Sequence, residues 1–310
     1  MTDPCYAVIA GVNKAGTTSL FVSLSSHPDI AASAIKETRY FSPVRYGRAL
    51  EPVSVWERYF AAAPDRPVRL EATPSYFYGG APLAECMAAR LGNVRVILLF
   101  REPVARAVSF FSYQKTRLRI PAEMTMPEYL AIADELTPDD FRDPENEKYM
   151  AVRGSRYAEF LPGWTEALGA DRLRVVYFED LLDHPGSVLR GLAQWLDLDP
   201  DAFTTAGDLS SENRTVGYKN VRLQKLALFG NDRLERLFRR HPAWERRLRD
   251  VYYRVNGRSD REGVPQAVRD DLARRFEVPN AQLAVQLRTA GYAMPSWLRD
   301  ASDMPAPEGL

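Results

Sequence analysis

Cysteine and histidine are scarce in this chain of 310 residues. The two cysteines, Cys5 and Cys86, form no Cys-x-x-Cys pair, and only three histidines accompany them. Because zinc sites need closely spaced thiolate and imidazole ligands, the sequence predicts no metal site. We expect both thiols to be free, as is typical of proteins in a reducing compartment.

The chain also lacks net charge and long apolar runs. Its 41 basic residues balance its 41 acidic residues, which argues against a general binder of nucleic acid or of a membrane surface. No apolar run approaches the roughly 18 residues that a membrane span needs, and no basic segment followed by an apolar stretch indicates a signal peptide. We therefore expect no membrane insertion and a cytoplasmic location.

Internal repeats and linkers are missing as well, so we predict one domain over residues 1–300 and a polar tail at 301–310. Alternating strand and helix patterns predict a parallel sheet with right-handed crossovers. The apolar patterns place strands at 6–10, 68–72, 94–100 and 173–180. They place helices at 17–26, 54–62, 82–91, 127–136 and 185–196, a helix that begins at 153, and a charged, mostly helical region at 220–289.

The most informative stretch begins with the apolar, strand-forming run at 6–10. A loop bracketed by Gly11 and Gly16 follows, and helical spacing begins at Thr17. A strand, a glycine-bracketed loop and a helix together present backbone N–H groups and the positive helix terminus to an anion. Lys14 adds a cation, so these residues predict a phosphate-binding loop. The alternative is a plain glycine turn with an exposed lysine.

The position of the lysine separates two kinds of phosphate loop. A Walker A loop places Lys-Ser/Thr directly after its second glycine, whereas Lys14 precedes Gly16. The segment instead resembles the Lys-x-Gly-Thr-Thr loop of the sulfotransferases, which use 3′-phosphoadenosine 5′-phosphosulfate (PAPS) as sulfonate donor. The resemblance implies that the 5′-phosphosulfate is bound by Lys14, Ala15, Gly16, Thr17, Thr18 and Ser19.

The strand predicted at 94–100 leads into a second motif. Arg101-Glu102-Pro103 begins a helix, since proline is tolerated in the first helical turn. Together with Arg106 and Ser109, it resembles the 3′-phosphate motif Arg-[Asp/Glu]-Pro-x-x-Arg-x-x-Ser of the same family. The resemblance implies that Arg101 gives a forked donor and Ser109 a hydroxyl to the 3′-phosphate. We leave Arg106 outside the site, as a surface residue or the partner of an acid.

Residues 35–41 supply a candidate base. They resemble the Lys-Glu-x-His-Phe-Phe segment of the heparan-sulfate-type branch, in which the glutamate is the catalytic base. Glu37 matches that glutamate, whereas Arg39 and Tyr40 depart from the His-Phe pair. The alternative is a surface Lys-Glu pair of little energetic weight.

Two other segments match the family less fully. The second predicted strand runs into a segment where the family often has Glu-Lys-x-Pro-x-Tyr-Phe. Ala72 replaces the lysine there, and we interpret Glu71 and Tyr76 as structural. The segment 213–218 resembles Asn-x-Thr-x-Gly-Phe, which makes Arg214 a weak candidate for substrate binding.

The chain as a whole resembles the PAPS-dependent sulfotransferases, with motifs closest to the heparan-sulfate-type carbohydrate branch, over residues 6–220. The resemblance implies an α/β, P-loop-like fold of three layers, a central parallel sheet flanked by helices, with a helical C-terminal part. It implies in-line sulfonate transfer to a hydroxyl or amine of a saccharide, natural product or other small molecule. Lys14 and Glu37 would be catalytic, PAPS the co-substrate, and no metal is required.

Two other functions stay open. An ATP-dependent P-loop kinase needs a Lys-Ser/Thr pair and a Walker B acid for Mg²⁺, yet the strand at 94–100 ends in Arg101. A non-catalytic nucleotide-binding or scaffold protein with this fold would bind the donor without using a base. The acceptor and the oligomeric state do not follow from the sequence.

Overall fold

A five-stranded parallel sheet is at the centre of the computed structural model, which describes residues 4–203 and 264–299 and the backbone of a short antiparallel pair, Gly217–Tyr218 with Gly257–Arg258. The strands of the sheet are β1 (Cys5–Gly11), β2 (Ile30–Ala32), β3 (Val68–Ala72), β4 (Val94–Phe100) and β5 (Leu173–Tyr177). Their spatial order is β2-β3-β1-β4-β5, and each neighbouring pair is parallel.

Helices connect the strands and flank the sheet. In chain order they are α1 (Thr17–Leu24), α2 (Ser42–Arg45), α3 (Val53–Glu57), α4 (Gly80–Leu91), α5 (Pro103–Thr116), α6 (Met126–Glu135), α7 (Leu161–Arg172), α8 (Phe178–Asp183), α9 (Pro185–Trp195) and α10 (Gln266–Thr289). This arrangement confirms the predicted α/β class, with a parallel sheet between helices and a helical C-terminal part. In the described ranges, no helix has the length and apolarity that a membrane crossing requires.

The strand order explains where a ligand can bind. β1 and β4 are neighbours, but the chain leaves β1 toward β2 and β3 on one side and continues from β4 to β5 on the other. Such a reversal opens a crevice at the carboxyl ends of the two strands. The crevice lies where residues 11–16 leave β1 and Arg101 leaves β4.

The strands at 68–72 and 94–100 are confirmed residue for residue. The last five residues of β4 are fully buried, which is why its sequence is apolar almost throughout. The predicted short helix at 54–62 is α3 followed by a 3₁₀ turn, Arg58–Phe60.

Two predictions about elements are wrong, and one strand was not predicted. The predicted strand 173–180 ends at Tyr177, because the following acidic residues begin α8, where negative charge favours a helix N-terminus. The helix predicted from 153 begins only at Leu161; before it, Arg156 has a non-helical conformation between two 3₁₀ turns. The edge strand β2 was not predicted, since three residues are too short for a periodic pattern.

Candidate active site

The loop between β1 and α1 forms the first part of the site. The N–H of Val12 donates to the Leu99 carbonyl at 2.9 Å, which ties the loop to β4. Gly16 caps α1 with φ at 87°, a left-handed conformation that glycine adopts without steric cost. The first N–H groups of α1 have no carbonyl partner within the helix, so this terminus can donate to an anion.

The predicted donor-binding residues of this loop differ in exposure. Ala15 is packed in the core and can contribute only its backbone to a ligand. Thr17 and Ser19 are also buried, whereas Thr18 is exposed and Lys14 is half-buried. The sequence motif therefore combines residues that build the loop with residues that a ligand can reach.

Lys14 carries the positive charge of the loop. Its Nζ lies 4.5 Å from the centre of the Tyr113 ring, and no carboxylate among the described residues forms an ion pair with it. Burial, with repulsion from Arg101 and Lys36, lowers the pKa of Lys14 to about 8. The site therefore holds more positive charge than its own acids neutralise, a condition that a bound anion relieves.

Arg101 connects the second motif to the first. One guanidinium nitrogen donates to the Lys14 carbonyl at 3.1 Å, and the guanidinium lies 4.6 Å from the Phe178 ring. Its own carbonyl accepts from the Tyr157 hydroxyl at 2.7 Å. Burial lowers the pKa of Arg101, which still stays charged. Ser109 lies about two turns into α5 and is partly exposed, so both predicted 3′-phosphate residues follow β4 in the chain.

Glu37 lies on the loop between β2 and α2. Its Oε1 accepts from Lys36 Nζ at 2.9 Å, its Oε2 lies 3.6 Å from an Arg39 nitrogen, and its side chain is 39% exposed. Burial alone would raise the pKa of Glu37, but attraction to Lys36 and Arg39 outweighs it and lowers the pKa below its usual value. Glu37 is therefore ionised at neutral pH and accessible from solvent.

A buried network holds the Glu37 loop from below. Glu71 Oε1 accepts from the Thr38 N–H at 3.2 Å and from the Thr38 hydroxyl at 3.1 Å, and it also accepts from the Thr73 hydroxyl. The Tyr76 hydroxyl accepts from the Phe41 N–H at 3.2 Å. Glu71 and Tyr76 are fully buried, in agreement with their interpretation as structural residues.

The Lys14 loop and the Glu37 loop face one cavity of about 330 Å³. Charged residues that the sequence analysis had not selected also line it: Lys36, Arg39, Arg45, Arg119 and Glu147. A second cavity of about 470 Å³ adjoins the first, and both are lined by Arg45, Tyr46, Tyr78 and Met150. Arg101 and Ser109 do not line the first cavity, and Arg214 lies outside the described residues.

Arg106 corrects the sequence analysis. It is neither a surface residue nor paired with an acid, because its side chain is fully buried and bonded to neutral groups. The sequence signal for this position was the motif itself, which repeats an arginine five residues after Arg101.

Within the described ranges, no cluster of His, Cys, Asp and Glu is arranged to hold a metal ion.

Comparison with known proteins identifies the family. The model of the sulfotransferase domain matches residues 6–228, which is most of the chain. The chain belongs to the sulfotransferase family. This match confirms the family predicted from the Lys14 and Arg101 motifs.

Curated relatives and a solved structure agree with that assignment. Human heparan sulfate glucosamine 3-O-sulfotransferase 5 is 27% identical over 196 residues, which cover 63% of this chain and 54% of that protein. The bifunctional heparan sulfate N-deacetylase/N-sulfotransferase 1 of Caenorhabditis briggsae is 22% identical, with 64% of this chain and 23% of that protein covered. The chain thus spans about half or less of these relatives.

A sulfotransferase from Alicyclobacillus acidocaldarius has the same fold. Its crystal structure aligns with a TM-score of 0.55 and 23% identity, covering 77% of this chain and 95% of that one. This likeness confirms the P-loop-like sulfotransferase architecture.

Proposed function

We propose that this protein transfers a sulfonate group from PAPS to a hydroxyl or amine of a carbohydrate or natural product. The observation that carries the proposal is that the anion-binding loop with Lys14 and the ionised Glu37 line one cavity. A cation beside the leaving group and a base beside the acceptor are the two groups that in-line transfer needs.

The donor in this proposal is a nucleotide with two separate anionic groups. PAPS supplies an activated sulfonate whose departure leaves negative charge on the 5′-phosphate. Lys14 and the N–H groups at the start of α1 would bind that charge. Arg101 would bind the 3′-phosphate as a forked donor, with the Ser109 hydroxyl beside it. The excess positive charge around Lys14 supports the assignment of this loop to the 5′-phosphosulfate.

Glu37 would accept the proton of the acceptor. Its lowered pKa makes it a weak base, but one that is ionised in nearly every molecule at neutral pH. The transition state of such transfers is loose, so bond formation to the nucleophile lags behind departure of the leaving group. A weak base suffices when the proton leaves late.

The cavity lining favours a polar or anionic acceptor. Two carboxylates, Glu37 and Glu147, line it together with five basic residues, so an acceptor that carries negative charge would be attracted to it. The basic residues are Lys14, Lys36, Arg39, Arg45 and Arg119. Relatives of this chain are named heparan sulfate sulfotransferases, which supports a saccharide acceptor.

Calorimetric titration with 3′-phosphoadenosine 5′-phosphate (PAP) tests the donor. We expect tight, Mg²⁺-independent binding that Arg101→Ala weakens by about 100-fold, while Arg190→Ala, an exposed arginine on α9, leaves it unchanged. Preferential binding of ATP with Mg²⁺, independent of a 3′-phosphate, would contradict the proposal and favour a kinase.

Glu37→Gln tests the base separately. This variant should bind PAP with nearly wild-type affinity, because the substitution keeps the shape of a side chain whose carboxylate pairs with Lys36 and Arg39. Sulfonate transfer to an acceptor found by screening should fall by roughly 100-fold or more. Transfer at the wild-type rate by Glu37→Gln would exclude Glu37 as the base, and donor binding without transfer to any acceptor would favour a non-catalytic nucleotide-binding protein.

A further inference from the structure

Arg106 is a fully buried arginine directly beneath the Lys14 loop. Its Nε donates at 3.1 Å to the carbonyl of Asn13, which is the residue before Lys14. One terminal nitrogen donates to the Tyr78 hydroxyl at 2.9 Å. The other donates to the Ala151 carbonyl at 3.0 Å and to the Ser155 hydroxyl at 2.7 Å.

The backbone at Gly154 packs closely against this guanidinium. A Cβ atom on Gly154 would lie 2.8 Å from one terminal nitrogen of Arg106, closer than side chains approach. The 3₁₀ turn Arg153–Ser155, which replaces the helix predicted there, therefore allows the backbone to pack against the charged group. Arg106 thus joins α5, the donor loop and this turn.

The charge of Arg106 has no counterion among the described residues. All four of its hydrogen-bond partners are neutral oxygens, and none of the ion pairs in those residues includes it. Burying a cation without an acid is costly, and a neutral side chain of similar size would avoid that cost. The retained charge needs an explanation beyond packing.

We propose that Arg106 is a positioning residue of the donor loop and adds positive charge to the anion site from below. Its bond to the Asn13 carbonyl fixes the backbone that carries Lys14, and its charge acts from a buried position. This inference rests on the proposed function, because the anion it would attract is the 5′-phosphosulfate of the donor. The geometry requires no direct contact between Arg106 and the ligand.

The charge of Arg106 is expected to act on Lys14. Burial is the main cause of its lowered pKa, and repulsion from Arg101, Lys36 and Arg106 acts in the same direction. Arg106 contributes least of these three charges, and its effect reaches Lys14 because the interior screens charges less than water does. A bound anion would be attracted by the same field that disfavours protonation of Lys14.

The test compares Arg106→Gln, Arg106→Lys and Ser155→Ala by two measurements. The first is calorimetric titration with PAP; the second is the ionisation midpoint of Lys14, followed by NMR of lysines labelled with ¹³C at the ε carbon and assigned with Lys14→Arg. We expect Arg106→Gln to weaken PAP binding by at least about tenfold and to raise the Lys14 midpoint. Arg106→Lys should leave the midpoint unchanged and weaken binding by no more than about threefold.

Ser155→Ala distinguishes the effect of the Arg106 charge on the donor loop from the contribution of Arg106 to stability. It removes one partner of Arg106 on the side away from the donor loop and keeps the charge. We expect a lower melting temperature with PAP affinity and Lys14 midpoint both retained. A purely structural Arg106 would instead make affinity fall in step with stability in all three variants.

The inference is overturned if folded Arg106→Gln retains the wild-type midpoint and affinity. If that variant does not fold, Arg106→Lys decides, since a tenfold loss of affinity despite the retained charge would overturn the electrostatic role. Failure of the wild-type protein to bind PAP would refute the proposed function alone. The Lys14 titration needs no nucleotide and would still test Arg106.

Discussion

Glu71 determines how the candidate base is presented. Its Oε1 accepts from Thr38, directly after Glu37, and its Oε2 is buried without a hydrogen-bond partner among the described residues. Burial raises the pKa of Glu71 to about 7, although hydrogen bonds from Thr73 and Thr38 oppose the shift. Near neutral pH, the carboxyl below the site is therefore partly protonated while Glu37 above it is ionised.

The pKa of Glu71 predicts a specific pH dependence of stability. From about pH 4.5 to about pH 7 the folded state retains a proton that the unfolded chain has released. The folded state then binds more protons, so this group lowers the free energy of unfolding as pH rises through that window. Glu71→Gln removes the effect and should gain up to about 3 kcal/mol relative to wild type between pH 4.5 and pH 8.

Urea unfolding across this pH range measures the difference between the two proteins. Glu85→Gln, an exposed glutamate on α4, is the matched control and should follow the wild-type profile. Parallel profiles of wild type and Glu71→Gln would contradict the raised pKa.

At this site, sequence analysis identified the residues of local motifs but not the contacts between distant segments. Lys14, Glu37 and Arg101 were selected because their motifs have a fixed spacing, and the structure brings Arg101 into contact with the Lys14 carbonyl. Arg106 belongs to the same motif, but its burial depends on residues 151–155, far along the chain. Spacing along one element cannot reveal a partner from another element.

At the scale of elements, a helix cap fixes the connection between β4 and α5. The Glu102 side chain caps α5 by accepting from the Val104 and Ala105 N–H groups at 2.8 and 2.6 Å. The Glu102 N–H in turn donates to Glu179 at 3.0 Å. The cap fixes the turn that Arg101 begins, which is how α5 contributes to the candidate donor site.

Two caps on neighbouring helices allow a matched prediction. Glu102→Ala and Thr125→Ala, which breaks the capping box of α6, should each cost about 1 kcal/mol of unfolding free energy. Only Glu102→Ala should weaken PAP binding, by several-fold, because Glu102 directly follows Arg101 whereas Thr125 caps a different helix. Denaturant unfolding and calorimetry measure both effects; equal loss of PAP affinity in the two variants would contradict a local role for the α5 cap.

Elements were predictable where their pattern was long and unmixed. β4 is buried on both faces, so seven residues of nearly uniform apolarity predicted its first and last residues. β2 has only three residues, and its pairing with β3 at the edge depends on a strand distant in sequence. The early end of β5 was missed because Phe178 extends the apolar, strand-forming run although it begins α8.

At the scale of the whole molecule, the C-terminal segment completes the core beyond the family match. The match ends at residue 228, yet α10 buries Leu272, Phe276, Leu283 and Leu287. α10 packs against α5 and against the 3₁₀ turn that contains Tyr157, whose hydroxyl donates to the Arg101 carbonyl. Beyond α10, Trp297 Nε1 donates to Glu179 at 3.2 Å. Glu179 also accepts from the Glu102 N–H. The segment therefore supports the connection between β4 and α5.

Two aliphatic positions on α10 test whether this segment unfolds with the sheet. Leu283 is fully buried and Val285 is 47% exposed. Leu283→Ala should lower the unfolding free energy by about 2–5 kcal/mol, whereas Val285→Ala should change it by no more than about 0.5 kcal/mol. Because α10 shares the core with α5, Leu283→Ala should shift one cooperative transition monitored by both circular dichroism and tryptophan fluorescence. A separate low-temperature transition, with the rest of the protein melting as in wild type, would mean that α10 is only docked on an independently stable sheet.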